Sequence, residues 1–163
     1  MANFSNFYTA TFNKIIASDT LDAAIDDSAP ANHVRQERYV NISKDGPANH
    51  DAYLDHGPLI YLIPSSCEYA PLTADHEKTE AILEMDVHSR VANTVAATFT
   101  DHVAFVDDLC IELMHLADGT GGAASWLSGI GVKLRCSSSQ VEQLGMTECR
   151  TKVRLKAQLL GVV

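Results

Sequence analysis

Two stretches of the chain alternate apolar and polar residues with little interruption. From Glu77 to Val91, Ala81, Leu83, Met85 and Val87 share one side of an extended backbone, and Glu80, Glu84, Asp86 and His88 share the other. Only Ile82 falls out of step. From Cys149 to Leu160, Thr151, Val153, Leu155, Ala157 and Leu159 alternate with Arg150, Lys152, Arg154, Lys156 and Gln158. Both read as strands with one buried and one wet face. Ile130 to Ser137 predicts a further strand, connected to the last through Val141 to Gly145. Leu59 to Ile63 is an unbroken apolar run closed by Pro64, the pattern of a strand buried on both faces. Arg35 to Ser43, carrying Tyr39, Val40 and Ile42, predicts a first strand.

Helical spacing governs two other segments. Phe4 to Ile16 places Phe4, Phe7, Tyr8, Phe12, Ile15 and Ile16 on one side. Ser18 or Asp19 starts a further turn, with Leu21, Ala24 and Ile25 inward, ended before Pro30. Thr100 to Ala117 carries the stripe Val103, Val106, Cys110, Leu113 and Ala117, widened by Phe105, Leu109 and Leu116. Thr100 caps its start, Gly119 stops it, and Asp107, Asp108 and Glu112 face water. The segments Lys44 to Pro58 and Ser65 to Asp75 are rich in turn residues and are expected to be irregular. The expected fold is α+β, a single domain over residues 1–163: a mostly antiparallel sheet of about five strands with two main helices packed on one face. Its core should unite Leu83, Met85, Val87, Val132, Leu134, Val153, Leu155 and Leu159 with Val106, Cys110 and Leu113.

Composition adds limits. Hydrophobic residues make up 46% and charged residues 20%, as in ordinary globular proteins. No apolar run is long enough for a membrane span, and Met1 to Tyr8 lacks the pattern of a secretory signal, so a soluble protein in cytosol-like surroundings is expected. Cys67, Cys110, Cys136 and Cys149 form no Cys-x-x-Cys pair and are expected to be reduced thiols. The net charge of −9 disfavours a nucleic-acid coat. That charge is unevenly spread. Residues 1–132 hold 6 Lys/Arg against 19 Asp/Glu, a net of −13, and residues 133–163 hold 6 against 2, a net of +4.

Candidate chemistry is sparse. Gly119 to Gly122 follows a helix and lacks the Gly-Lys-Ser/Thr of a phosphate cradle, so it reads as a helix stop. His50, Asp51, Asp55 and His56 bring four potential ligands within seven residues, with His33 elsewhere, but the segment offers no rigid support and reads as a solvated loop. Asp101, His102 and His115 read as cap and dipole partners of the helix. No nucleophile elbow is present. The expectation is a protein with no catalytic residues, no cofactor and no metal site, not an enzyme.

The distinctive feature is a cationic ladder. Lys133, Arg135, Arg150, Lys152, Arg154 and Lys156 should all point to the wet side of the last two strands, on the same sheet face as Glu80, Glu84 and Asp86. This is either cross-strand ion pairing or a subunit interface in which the basic strands of one copy meet acidic surface of the next.

In its order of elements the chain resembles the tail terminator proteins of long-tailed bacteriophages, which complete the tail and join it to the head. The resemblance rests on the amphipathic first helix, the proline-ended strand Leu59 to Pro64 and the alternating strand Glu77 to Val91. It continues through the Asp-rich helix Thr100 to Ala117 and the final strands with their Arg-x-Lys-x-Arg-x-Lys ladder. It implies a structural virion protein, assembled in the host cytoplasm into a hexameric ring at the head-proximal end of the tail. Such a ring ends tail-tube polymerisation. Its partners would be its own copies, the tail-tube protein and a head-completion or connector protein, with DNA only as cargo passing through an acidic lumen and no membrane. The segments 44–58 and 65–75 are longer than a minimal member needs. Two alternatives stand beside it: another neck, tail-tube or baseplate component, and a small metal-dependent hydrolase built on His50, Asp51, Asp55 and His56.

Overall fold

Alternation in the sequence becomes, among the described residues, a six-stranded mixed sheet with four α-helices. The computed structural model describes residues 4–36, 47–71, 76–91, 97–115, 125–127 and 129–162. In chain order the elements are α1 (Phe4–Ile16), α2 (Asp19–Ala24), β1 (Val34–Arg35), α3 (Pro47–Leu54), β2 (Leu59–Pro71), β3 (His76–Arg90), α4 (Ala97–Met114), β4 (Gly131–Ser138), β5 (Glu142–Leu144) and β6 (Glu148–Val162). The strands lie in the order β1-β2-β3-β6-β4, with β5 also on β6. All pairings are antiparallel except β1 with β2. The α+β class and the mostly antiparallel sheet are as the pattern predicts.

The period of two fixes the faces of β3 and β6. Along β3, Thr79, Ala81, Leu83, Met85 and Val87 are buried on one side; along β6, Thr151, Val153, Leu155, Ala157 and Leu159 match them. Helices α1, α2 and α4 cover this side through Phe7, Ile15, Leu21, Phe105, Val106, Leu109 and Leu113. Leu134 and Cys136 of β4 pack at its margin. The side chain of Val132 lies outside the described residues.

Glu112 is expected in water on α4 but instead locks the helices together. Its carboxylate accepts from Ser18 Oγ at 2.7 Å, the Thr20 N–H at 3.1 Å, the Asp19 N–H at 3.3 Å and Lys14 Nζ at 3.1 Å. The free amides at the start of α2 are thus capped by a side chain from α4. Burial opposes ionisation here, but these donors hold the carboxyl down to about 2.

Several boundaries differ from expectation. Pro64 does not end β2; a bulge between Pro64 and Ser66 absorbs it and the strand runs on to Pro71. Among the described residues β2 is an edge beyond the two-residue β1, and an edge tolerates the missing proline N–H. The expected irregular segment from Ser65 is therefore largely strand. Ile82 keeps the alternation after all, half-buried on the outer face between Glu80 and Glu84. Helix α4 starts at Ala97, before Thr100. Val103 faces outward, because the buried arc of α4 is centred on His102, Phe105, Val106, Leu109 and Leu113. Of the expected first strand, Val34–Arg35 is the described part; Tyr39, Val40 and Ile42 lie outside the described residues, as do Leu116, Ala117 and Gly119 to Gly122.

The largest difference is α3. Residues expected to form a loop make an eight-residue helix that opens with Pro47 at its first position, where proline's missing N–H and fixed φ are suited. Helix α3 covers the outer face of the sheet at one end. There Leu54, Leu59 and Tyr61 form a second apolar cluster, flanked by Tyr53 and Ile63. The two main helices, α1 and α4, share one face as expected, and the short α3 adds a cover on the other. Gly57, with φ of 149°, follows α3, and a Cβ there would meet the Ala24 carbonyl oxygen at 2.7 Å. The chain can pass this close to the end of α2 only as glycine.

Candidate functional site: a buried His-His-Glu cluster and an open charged face

The outer face of the sheet divides into two zones. Under α3, His88, which alternation assigns to solvent, is buried together with Tyr61 of the strand expected to be covered on both faces, and Asp86 beside them is nearly so. His50 drops from α3 into the same space, because His50, Tyr53 and Leu54 share the side of the helix that meets the sheet. Glu148, at the start of β6, completes the group and is also buried.

Glu148 Oε1 is shared by two imidazoles, 2.9 Å from His50 Nε2 and 2.6 Å from His88 Nδ1. A carboxylate only accepts, so both nitrogens donate to it. His50 Nδ1 lies 2.5 Å from the Tyr61 hydroxyl, and the His50 and Tyr61 rings stack with centroids 5.9 Å apart. His88 stands edge-on to both rings. Burial works against the Glu148 charge, but hydrogen bonds from His50 and His88 hold the carboxyl down to about 2. A nitrogen or oxygen from each of His50, His88 and Glu148 lies within 4.8 Å of the others, a spacing able to hold a metal ion.

The four residues singled out in the sequence do not converge. Asp51 and Asp55 turn outward and both pair with Arg90, at 3.0 and 2.8 Å. His56 Nδ1 pairs with Asp26 at 2.7 Å. His33 is buried with Nδ1 donating to the Pro58 carbonyl at 2.8 Å and Nε2 beside Asp27 at 2.9 Å. A hydrolase centre on His50, Asp51, Asp55 and His56 has no geometric basis. The missed partners His88 and Glu148 are far from His50 in sequence; one sits in an apparently wet strand phase and the other among turn residues. The spacing His50-Tyr53-Leu54 was the available signal for an inward-facing helix.

No protein-family model matches the chain, and no curated protein matches it.

His102 is also buried, not a cap. It bridges Ser89 Oγ at 2.7 Å and Thr151 Oγ1 at 2.8 Å on the core side of the sheet. Burial, then the nearby His88, pulls its pKa down to about 4, so it is neutral at pH 7. His115 is exposed just beyond α4.

Away from α3 the outer face is open. Lys133, Arg135, Lys152, Arg154 and Lys156 are exposed there and Arg150 is half-buried. Some of the expected ladder is paired within the chain: Arg154 with Glu84 at 3.7 Å, Lys156 with Glu80 at 3.3 Å, and Arg150 with Glu142. Lys133, Arg135 and Lys152 make no ion pair among the described residues. Asp86, expected on this open surface, is instead 9% exposed beside the covered zone.

The opposite side of the molecule has the reverse character. On α4, Asp101, Asp107 and Asp108 are exposed, as are Asp19 and Asp22 on α2. An open groove of about 740 Å³ between these helices includes Asp19, Asp101, Asp108 and Ile111. Phe99, Val103, Ile111 and Met114 extend this acidic surface as an apolar stripe, Ile111 being 62% exposed. Among the described residues no helix is long and apolar enough to cross a membrane.

Proposed function

We propose that this protein is a structural subunit that assembles head to tail into a closed ring, and that the ring is the tail terminator of a long-tailed bacteriophage. The observation that carries the ring is the placement of complementary surfaces on opposite sides of one chain. A cationic sheet face, on which Lys133, Arg135 and Lys152 make no ion pair among the described residues, looks one way, and the acidic, partly apolar face of α2 and α4 looks the other. Two unlike patches of this kind make a heterologous contact, which closes into a ring when the rotation between successive copies divides a full turn and otherwise runs on as a filament. Apolar residues on α4 supply contact area, and the charges supply register and exclude misaligned pairings.

The resemblance in element order supplies the rest of the proposal: six copies, a seat at the head-proximal end of the tail, and contacts with the tail-tube protein and the head connector. An excess of negative charge suits a lumen through which DNA slides without adhering. The expected partners are thus its own copies and virion proteins, with no small-molecule substrate.

The test is electron microscopy of phage particles with the protein labelled and of particles made without it. Label should appear at the neck, and its absence should give tails of uncontrolled length that do not join heads. Normal tails without the protein, or label on the baseplate, would overturn the assignment.

A further inference from the structure

We propose that His50, His88 and Glu148 form a zinc site that staples α3 to the outer face of the sheet. The three ligands come from three elements distant in sequence: α3, the end of β3 and the start of β6. Two imidazoles and one carboxylate suit a borderline divalent ion such as zinc and do not suit magnesium or calcium, which take oxygen ligands. His50 would bind through Nε2, His88 through Nδ1 and Glu148 through Oε1, with water in the fourth position.

The geometry is close to what the ion needs. Zinc bonds of about 2.0–2.1 Å at tetrahedral angles place neighbouring ligand atoms about 3.3 Å apart. The present separations from Glu148 Oε1 are 2.9 Å and 2.6 Å, so each opens by about half an ångström as the ion replaces the shared protons. Each imidazole then carries its proton on the other nitrogen. For His50 that nitrogen is Nδ1, and the Tyr61 hydroxyl is already 2.5 Å from it, placed to accept the N–H and fix the ring. Metal-bound histidines regularly have such an oxygen partner behind them.

Enclosure points to a structural ion. His50, His88 and Glu148 are 5%, 0% and 8% exposed. Side chains held this far out of water leave little space for an incoming substrate at the fourth position. The ion would instead link α3, β3 and β6, reinforcing from inside what Arg90 does outside through Asp51 and Asp55. This inference stands apart from the ring and holds whether or not the protein assembles.

The experiment strips the full-length protein with chelator, then titrates it with zinc chloride, reading retained metal by elemental analysis and the unfolding midpoint by calorimetry. One zinc per chain and a raised midpoint are expected. H50Q and H88Q should each weaken binding on the order of 100-fold, Y61F about 10-fold, and H56Q not at all. Should H50Q or H88Q fail to fold, cobalt(II) on the wild-type protein decides, with an intense visible band expected from a tetrahedral site. Folded wild-type protein that retains no zinc and shows no cobalt band would overturn the proposal. So would H88Q binding zinc as tightly as wild type.

Discussion

The two ends of the sheet's outer face have the same sequence pattern and opposite fates. Toward one end, Glu80 and Glu84 meet Lys156 and Arg154 in solvent, and nothing among the described residues lies over them. Toward the other, His88 and Tyr61 hold the same phase but lie under α3, where His50 and Glu148 close a network nearly out of water. Polar residues in one phase of a strand are therefore not one physical class. In solvent an ion pair contributes a few tenths of a kcal/mol and is screened by salt. Buried, the same groups must be satisfied completely, and losing one partner costs several kcal/mol. The covered end serves the fold; the open end is available for a partner.

The strongest way to break this comparison is Glu148→Ala in chelator-treated protein. It removes the acceptor that both imidazoles share, and should cost about 3–5 kcal/mol in denaturant unfolding. A loss below about 1 kcal/mol would make the covered end no different from the open one. Gly57→Ala comes next. A side chain at φ 149° and 2.7 Å from the Ala24 carbonyl oxygen should destabilise by at least about 2 kcal/mol, since α3 and the end of α2 must separate.

On the core side, pH gives a third measure. The His102 pKa is lowered to about 4 from 6.5, so the unfolded chain takes up the proton first. Stability is then complete above pH 6.5 and falls between pH 6.5 and 4, by at most about 3.5 kcal/mol at about 1.4 kcal/mol per pH unit. Glu112 acts lower: its carboxyl is at about 2 against 4.5 unfolded, so its contribution is present above pH 4.5 and lost as pH falls toward 2. Chemical denaturation across pH should show the first decline, and His102→Gln should flatten it. The smallest effect belongs to the open face: Glu84→Gln should change stability by less than about 0.5 kcal/mol.

How far the sequence could be read follows the same division. The core face was legible because burial on one side enforces strict alternation, and Val153, Leu155 and Leu159 or Leu83, Met85 and Val87 carry no conflicting signal. The outward cations of β4 and β6 were legible for the same reason. Three things were not. A helix such as α3, too short and polar to show an apolar stripe, forms because Tyr53, Leu54 and His50 dock on the sheet, a tertiary cause. The inward turn of α4 was misjudged at Val103 because His102 satisfies its nitrogens on Ser89 and Thr151 and so takes an interior place that polarity alone would deny it. The His50-His88-Glu148 cluster joins residues 38 to 98 positions apart, which pattern within a window cannot bring together.

The central functional claim is that the open cations of β4 and β6 contact a neighbouring copy, and solution mass tests it most directly. Light scattering of the wild-type chain should give a particle of six 17.7-kDa copies. The variant combining Lys133→Glu, Arg135→Glu and Lys152→Glu should keep its far-ultraviolet circular dichroism but run as a single chain, because these three side chains make no ion pair among the described residues. Wild-type protein that stays a single chain at every concentration, or a triple variant that assembles as wild type does, would contradict the account.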